Sequence, residues 1–357
     1  MLTSGGDAPG MNAAIRAIAK VGASRGVEVV GVVGGYTGLR EGAFRPLTRR
    51  VGDRVWPDPE IDAAASLGGT VLGSARELRF HTPEGRAPAI ARLRGLAGLV
   101  VIGGNGSLAG AHALARECGT PVVGLPASID NDVGCSASAI GVDTALNTIV
   151  AACDKIGDTA RAHRRAFVVE VMGRDCGYLA MAGAIAAGAD AVLFREQGRD
   201  EDAIVASVER AIRRGFADRG EGWARRRVLI LKAEGVSMPC TKLVRMVEER
   251  LGADLPGVDV RATVLGHLVR GGNPSFQDRM IAGRLGLAAV DAVLAGTTDV
   301  MMGWQGPPGG TPTGDPSVSS YPLQVVLEQS AALVDGSSPI TRRRVQLMEQ
   351  VEGVLGL

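Results

Sequence analysis

Aromatic residues are scarce, at 3% of 357 residues, against 46% hydrophobic residues overall and 51 glycines. A core with so few rings is built of Ala, Val, Leu and Ile and turns often on glycine, a composition that suits α/β layers. Charge of one sign is also lacking. With 39 basic and 38 acidic residues the formal charge is +1, which points to no nucleic acid and no acidic membrane as partner and leaves any anion site to be local. No apolar run reaches the ~18 residues a membrane helix needs, and the first residues lack the basic-then-apolar order of a secretion signal. The expectation is a soluble, cytoplasmic chain. The five cysteines (Cys118, Cys135, Cys153, Cys176 and Cys240) are odd in number and form no CxxC pair. That fits unpaired thiols in a reducing compartment better than a disulfide framework or a zinc site.

What is present is an alternation. The runs 27–33, 98–104, 121–126, 166–172, 190–194 and 227–232 are short and β-branched, as buried parallel strands are. Helix-like segments near 11–25, 106–118, 138–160, 177–187, 201–219, 241–251 and 276–295 separate them. Such βαβ units predict a doubly wound α/β fold with mainly parallel sheets, and the length predicts two domains. The stretch 303–316, GWQGPPGGTPTGDP, reads as a surface loop and a crossing between lobes. The chain opens on MLTSGG, leaving about three residues for the first strand against a usual ~5–6, which suggests a trimmed or misassigned start.

Four groups of residues carry candidate chemistry. In TSGGDAPGMNAAIRAI (3–18) a strand enters Gly5 and Gly6 and then a helix, a turn whose N–H groups and helix dipole suit a phosphate. It contains neither the GxxxxGK[ST] nor the GxGxxG pattern, and packing alone also explains such turns. VVIGGNGSLAGA (100–111) repeats the arrangement at Gly103, Gly104 and Gly106, and two such turns on one sheet favour a nucleotide-sized ligand across the strand ends. GLPASIDND (124–132) holds Asp130 and Asp132 one residue apart. In extended backbone they share a face, one fit to take a proton and one to hold a metal; the competing reading is an Asx-rich turn. Last come cations in apolar contexts, Arg165, Arg174, Arg261, His267 and Arg270. Guanidinium groups beside glycine turns suit phosphate dianions, while a lone Arg is more often surface charge and a lone His structural. The spacing of His267 and Arg270 joins them if the segment is helical.

The strings SGGDAPGMNAAIR, GSAR, IGGNGS, PASIDND, VEVMGR, KAEG and RATVLGHLVRGG together resemble, in order and spacing, the ATP-type (bacterial) 6-phosphofructokinases, from residue 3 to about 302. The resemblance implies two Rossmann-like three-layer lobes, residues 1–141 with about 269–319 for the nucleotide and 142–268 with about 320–357 for the sugar phosphate. It implies Asp130 as the base at the sugar's 1-hydroxyl, Ser128 beside it, Asp132 near magnesium, Arg76 facing the transferred group and Arg174 as a further catalytic residue. Fructose 6-phosphate would meet Met172, Gly173, Arg174, Glu234, His267 and Arg270, with Arg165 and Arg261 reaching in from a neighbouring subunit of a homotetramer. ATP would lie along Gly5, Gly6, Tyr36, Arg76, Glu77, Gly106, Ser107 and Gly110.

Some positions depart from that pattern. Ser128 stands where the family often has Thr, and Asn105, the second candidate metal residue, where it has Asp. At the allosteric effector site implied by the family Arg16 is kept, while Lys20 and Gly157 replace arginines and Asp190 replaces Glu. A pyrophosphate-dependent relative typically carries Asp at position 106 and Lys at 127, where this chain has Gly106 and Ala127. Asn105 also keeps open a weakly catalytic or regulatory member.

Overall fold

The β-branched runs become strands covered on both faces. The computed structural model describes residues 1–163, 165–217, 227–255, 257–351 and 354. In it Leu99–Gly103 and Val122–Pro126 are buried along their whole length, as parallel strands between helix layers require. They lie inside an eight-stranded sheet ordered Thr311–Pro312, Val318–Pro322, Val300–Trp304, Val122–Pro126, Leu99–Gly103, Leu2–Ser4, Val30–Val32, Phe44–Pro46. Pairing is parallel from Val300–Trp304 to Val30–Val32 and antiparallel at both edges. On one face Met11–Ser24 packs on Phe276–Leu294 so closely that a Cβ on Gly286 would lie 2.9 Å from that of Ala17. Asp278, on the second of these helices, is fully buried and accepts the N–H groups of Gly141 at 2.9 Å and Thr144 at 2.8 Å. Burial pushes its carboxyl up, while Thr144 and Gly141 pull the other way.

A second sheet is parallel throughout, ordered Asp259–Val264, Arg165–Val171, Arg227–Ala233, Ala191–Leu193. Glu201–Phe216 and Cys240–Leu251 bury apolar stripes in its core. The chain divides into two compact units, Met1–Thr144 with Arg270–Ala332 and Ala145–Val269 with Leu333–Leu357. The last crossing falls after Ala332, later than the segment 303–316 suggested. The physical reason is the edge of the first sheet: Val318–Pro322 pairs with Val300–Trp304 and Thr311–Pro312 with Ser319 and Ser320. Arg284 fastens the segment by binding Asp315 and stacking 4.7 Å from the centre of the Trp304 ring.

No helix among the described residues is long and apolar enough to cross a membrane.

Candidate active site

The strand Leu2–Ser4 ends at Gly5, whose φ of +85° is left-handed, and Met11–Ser24 begins after Gly10 with no side-chain cap. One strand over, Leu99–Gly103 passes through Gly104 into Asn105–Glu117, again uncapped by any side chain. Uncapped helix starts leave N–H groups for an anion. The register pairs Ser4 with Gly103, so the two turns lie side by side, and a Cβ on Gly103 would come within 2.6 Å of the Ser4 carbonyl. From Leu2–Ser4 the sheet continues to Val30–Val32 on one side and Leu99–Gly103 on the other. That is the switch point at which doubly wound sheets bind ligands. Gly106 is exposed and a Cβ there meets nothing within 4 Å, so packing does not require the glycine and its bareness leaves room for a ligand.

The GSAR loop closes on the first turn. Ser74 Oγ donates to the Gly5 carbonyl at 2.6 Å and Thr3 Oγ1 to that of Gly73 at 2.8 Å. Arg76 is exposed, with no ion pair among the described residues. Three residues expected along a nucleotide also do structural work. Tyr36 is 4% exposed, stacks on Phe80 at 4.0 Å between ring centres and donates to the Ser107 carbonyl at 2.6 Å; burial holds its phenol far above the ordinary value. Gly110 admits that ring, since a Cβ there would lie 2.8 Å from Tyr36 Cε2. Glu77 accepts from Arg40 Nη1 at 2.7 Å and from the Arg79 N–H at 3.0 Å. Burial pushes the Glu77 carboxyl up, but Arg40 and Arg79 outweigh it and hold it below its usual value.

The alternation expected for Asp130 and Asp132 does not operate. Ile129 and Asp130 form a turn and Asn131 has φ of +50°, so the backbone is not extended and the Asx-rich turn is what forms. Asn131 donates to the Ala137 carbonyl and accepts from the Ala139 N–H, both at 3.1 Å. Ser128 Oγ accepts from the Asp130 N–H at 3.3 Å and donates to Asp132 Oδ1 at 3.2 Å. Asn105 Nδ2 donates to Asp132 Oδ2 at 2.9 Å, while Asn105 Oδ1 is buried without a hydrogen-bond partner. The structure thus joins Asn105, Ser128 and Asp132, with Asp130 7% exposed in the same turn. Arg270 Nη1 donates to the Asp7 carbonyl at 3.2 Å and lies 3.0 Å from the place of a Cβ on Gly6. This brings one arginine of the expected sugar-phosphate set to the first glycine turn.

In the second unit, two adjacent strand ends form a clamp. Met172, Gly173 and Arg174 follow Arg165–Val171, with φ of +145° at Gly173 and +51° at Arg174. Glu234, after Arg227–Ala233, accepts both their N–H groups on Oε1, from Gly173 at 3.3 Å and Arg174 at 2.7 Å. Arg165 Nε and Arg261 Nε each donate to Asp259 Oδ2 at 2.9 Å. Sequence reasoning missed Asp259, although its two-residue spacing from Arg261 is that of one strand face. His267 is exposed on a short 3₁₀ turn, Gly266–Arg270, in place of the α-helix that its spacing invited.

Doubly wound sheets with uncapped glycine turns at a switch point define a class of phosphate-binding α/β proteins. Comparison with known proteins is more specific. The profile of the phosphofructokinase family matches residues 1–293, and the chain belongs to that family. The ATP-dependent 6-phosphofructokinase of Thermotoga petrophila is 43% identical over 308 residues, 86% of this chain and 89% of that protein. ATP-dependent 6-phosphofructokinase 2 of Bacteroides thetaiotaomicron is 44% identical over 305 residues, 85% and 87% of the two chains. Among solved structures, Pichia pastoris phosphofructokinase in the T-state aligns with a TM-score of 0.81 at 31% identity, covering 98% of this chain, which spans 39% of that longer one. The pyrophosphate-dependent phosphofructokinase of Marinobacter aquaeolei, at 20% identity, TM-score 0.73 and coverage of 91% and 82%, shares the fold.

Proposed function

We propose that this chain is an ATP-dependent 6-phosphofructokinase of glycolysis. It moves the terminal phosphoryl group of ATP to the 1-hydroxyl of fructose 6-phosphate, giving fructose 1,6-bisphosphate and ADP. The observation that carries the reading is the placement of two uncapped glycine turns beside the Ser128–Asp132 turn at the sheet's switch point. Phosphoryl transfer asks for positioning and charge neutralisation more than covalent chemistry. Gly5, Gly6 and Gly106 offer backbone N–H groups to the phosphates, and Ser107 is aligned behind them by Tyr36. Arg76 faces the transferred group, and Arg174 is a catalytic residue that also meets the sugar phosphate. Asp130 takes the proton of the 1-hydroxyl, and Ser128 aligns the turn that presents it. The sugar phosphate meets Met172, Gly173, Glu234, His267 and Arg270. Arg165 and Arg261 serve the site of a neighbouring subunit in a homotetramer, which the exposure of Arg261 supports. The setting is cytoplasmic.

The residues present fit magnesium. Asp132 offers a carboxylate and Asn105 a buried amide oxygen without a partner, both hard donors suited to that ion. Among the described residues no group of three or more His, Cys, Asp or Glu is placed to hold a metal. When bound, magnesium neutralises charge on the β- and γ-phosphates.

Two expected outcomes test this reading. With Gly106 open to solvent and Ala127 uncharged, ATP is the expected donor, since nothing replaces its α-phosphate or neutralises free pyrophosphate. Specificity constants in a coupled assay decide it, and higher efficiency with pyrophosphate overturns it. Weak response to nucleoside diphosphate and phosphoenolpyruvate is also expected. Arg16 Nε and Lys20 Nζ both bind Asp62 Oδ1, at 2.5 and 2.7 Å, and the lowered Asp62 carboxyl reflects those bonds to Lys20 and Arg16. Asp190 is buried and accepts the Leu229 N–H at 2.9 Å. Two cations already held by a carboxylate, and a missing arginine at Gly157, make a poor anion site. Strongly sigmoidal inhibition by phosphoenolpyruvate contradicts this.

A further inference from the structure

Lys232 is 1% exposed, a full-length cation that follows the apolar run 228–231 inside the strand Arg227–Ala233. Such a group is retained only where its three N–H donors are met. They are: Nζ donates to Glu170 Oε2 at 2.8 Å, to the Val236 carbonyl at 3.1 Å and to the Ala233 carbonyl at 3.4 Å. Glu170 is its register partner on the neighbouring strand. The Cys240 thiol donates to the same Glu170 oxygen at 3.2 Å, and burial followed by Glu170 pushes that thiol up to about 12, so it stays a neutral donor.

The acceptors explain what the ammonium does. The carbonyls of Ala233 and Val236 bracket Glu234, and the Val236 N–H closes the same turn on Ala233 at 3.1 Å. The turn abuts the Gly173–Arg174 loop, because a Cβ on Gly235 would lie 2.3 Å from the Arg174 carbonyl. Glu170, two residues before Met172, also receives the Leu265 N–H on its carbonyl at 2.9 Å. One buried cation therefore ties together the two strand ends whose loops carry Glu234, Gly173 and Arg174. Stability alone is a poor reason for it, since a well-packed apolar replacement of a buried ion pair is often neutral or better. An apolar side chain has no donors with which to hold two carbonyls and a carboxylate in one geometry.

We infer that Lys232 is a positioning residue for sugar-phosphate binding, acting through the 233–236 turn that aims Glu234. The inference rests on the reading of Glu234 as a sugar-phosphate contact. The test compares steady-state constants of Lys232→Met, the double variant Glu170→Gln/Lys232→Met and Glu234→Ala with the parent, well below every melting temperature. Lys232→Met is expected to raise KM for fructose 6-phosphate about tenfold, as small misplacements of binding groups do, with kcat and KM for ATP within about twofold. The double variant removes the uncompensated carboxylate, so it recovers thermal stability while keeping the raised KM, and it carries the test if the single variant folds poorly. A lowered melting temperature with KM for fructose 6-phosphate unchanged in both Lys232 variants makes the lysine merely structural and overturns the inference. An unchanged KM in Glu234→Ala removes the sugar-phosphate reading itself, and the inference goes with it.

Discussion

Asp130→Ser is expected to lower turnover by about 10²–10⁴ while leaving the fold and sugar-phosphate binding largely intact, the range for losing a general base. A base must sit where its environment is fixed, and Asp130 is in a turn held by its neighbours. Its N–H donates to Ser128 Oγ, Ser128 in turn binds Asp132, and Asn131 spans the turn to Ala137 and Ala139. Those bonds use the Asp130 backbone and the side chains on either side of it, so the substitution removes the carboxylate and keeps the scaffold. Single-turnover rates beside equilibrium binding of fructose 6-phosphate separate the two effects. Near-normal turnover in the variant means that another group takes the proton. A collapse of binding together with turnover means that the carboxylate shapes the site.

The parts of this site legible in the sequence are those whose chemistry is local. Gly5 and Gly103 mark strand-to-helix turns because a bare backbone suits them, the first at φ +85° and the second where a Cβ would lie 2.6 Å from the Ser4 carbonyl, and the apolar run 98–104 announces a strand covered on both faces. The arginines of the second unit were legible as cations, but not their shared tether, because Asp259 reaches Arg165 only through strand pairing. Tyr36 shows the same limit. A lone tyrosine near a nucleotide loop reads as a contact, whereas its burial against Phe80 and its bond to Ser107 are set by chain 44 and 71 residues away. The Asp130–Asp132 expectation failed for a different reason: period-two alternation holds in extended backbone, and a left-handed Asn131 breaks it. Elements without a pattern were passed over. Gly35–Glu41 has two glycines in seven residues, and Pro83–Leu93 carries Pro88 inside it, so neither shows a clear apolar stripe. The strands Val300–Trp304 and Val318–Pro322 pair antiparallel with each other near one edge of the first sheet, a partnership that neither sequence announces alone.

Asn105→Asp is expected to lower the magnesium requirement about tenfold at fixed ATP, because a second carboxylate joins Asp132 in holding a hard divalent cation. In the parent the Asn105 amide donates to Asp132 Oδ2 at 2.9 Å, so a neutral donor holds the carboxylate in place without the ion. In the variant two carboxylates face each other at that distance, and without metal they cannot both ionise cheaply. The folded-state pKa of one rises above its unfolded value, so in EDTA the variant gains stability as the pH falls through that raised pKa and loses it as the pH rises. Magnesium reverses the penalty at neutral pH. Melting temperatures of parent and variant, taken in EDTA and in magnesium across pH 4–8, should therefore diverge only in EDTA and only toward the alkaline end. Magnesium titrations of activity on the same proteins complete the test. Identical titration curves show that Asn105 is indifferent to the ion and that Asp132 with the phosphates carries it. An inactive parent whose activity appears in the variant identifies the natural chain as a ligand-binding, weakly catalytic member of its family. A parent already active, whose requirement merely falls, leaves it an enzyme that draws its metal from the nucleotide.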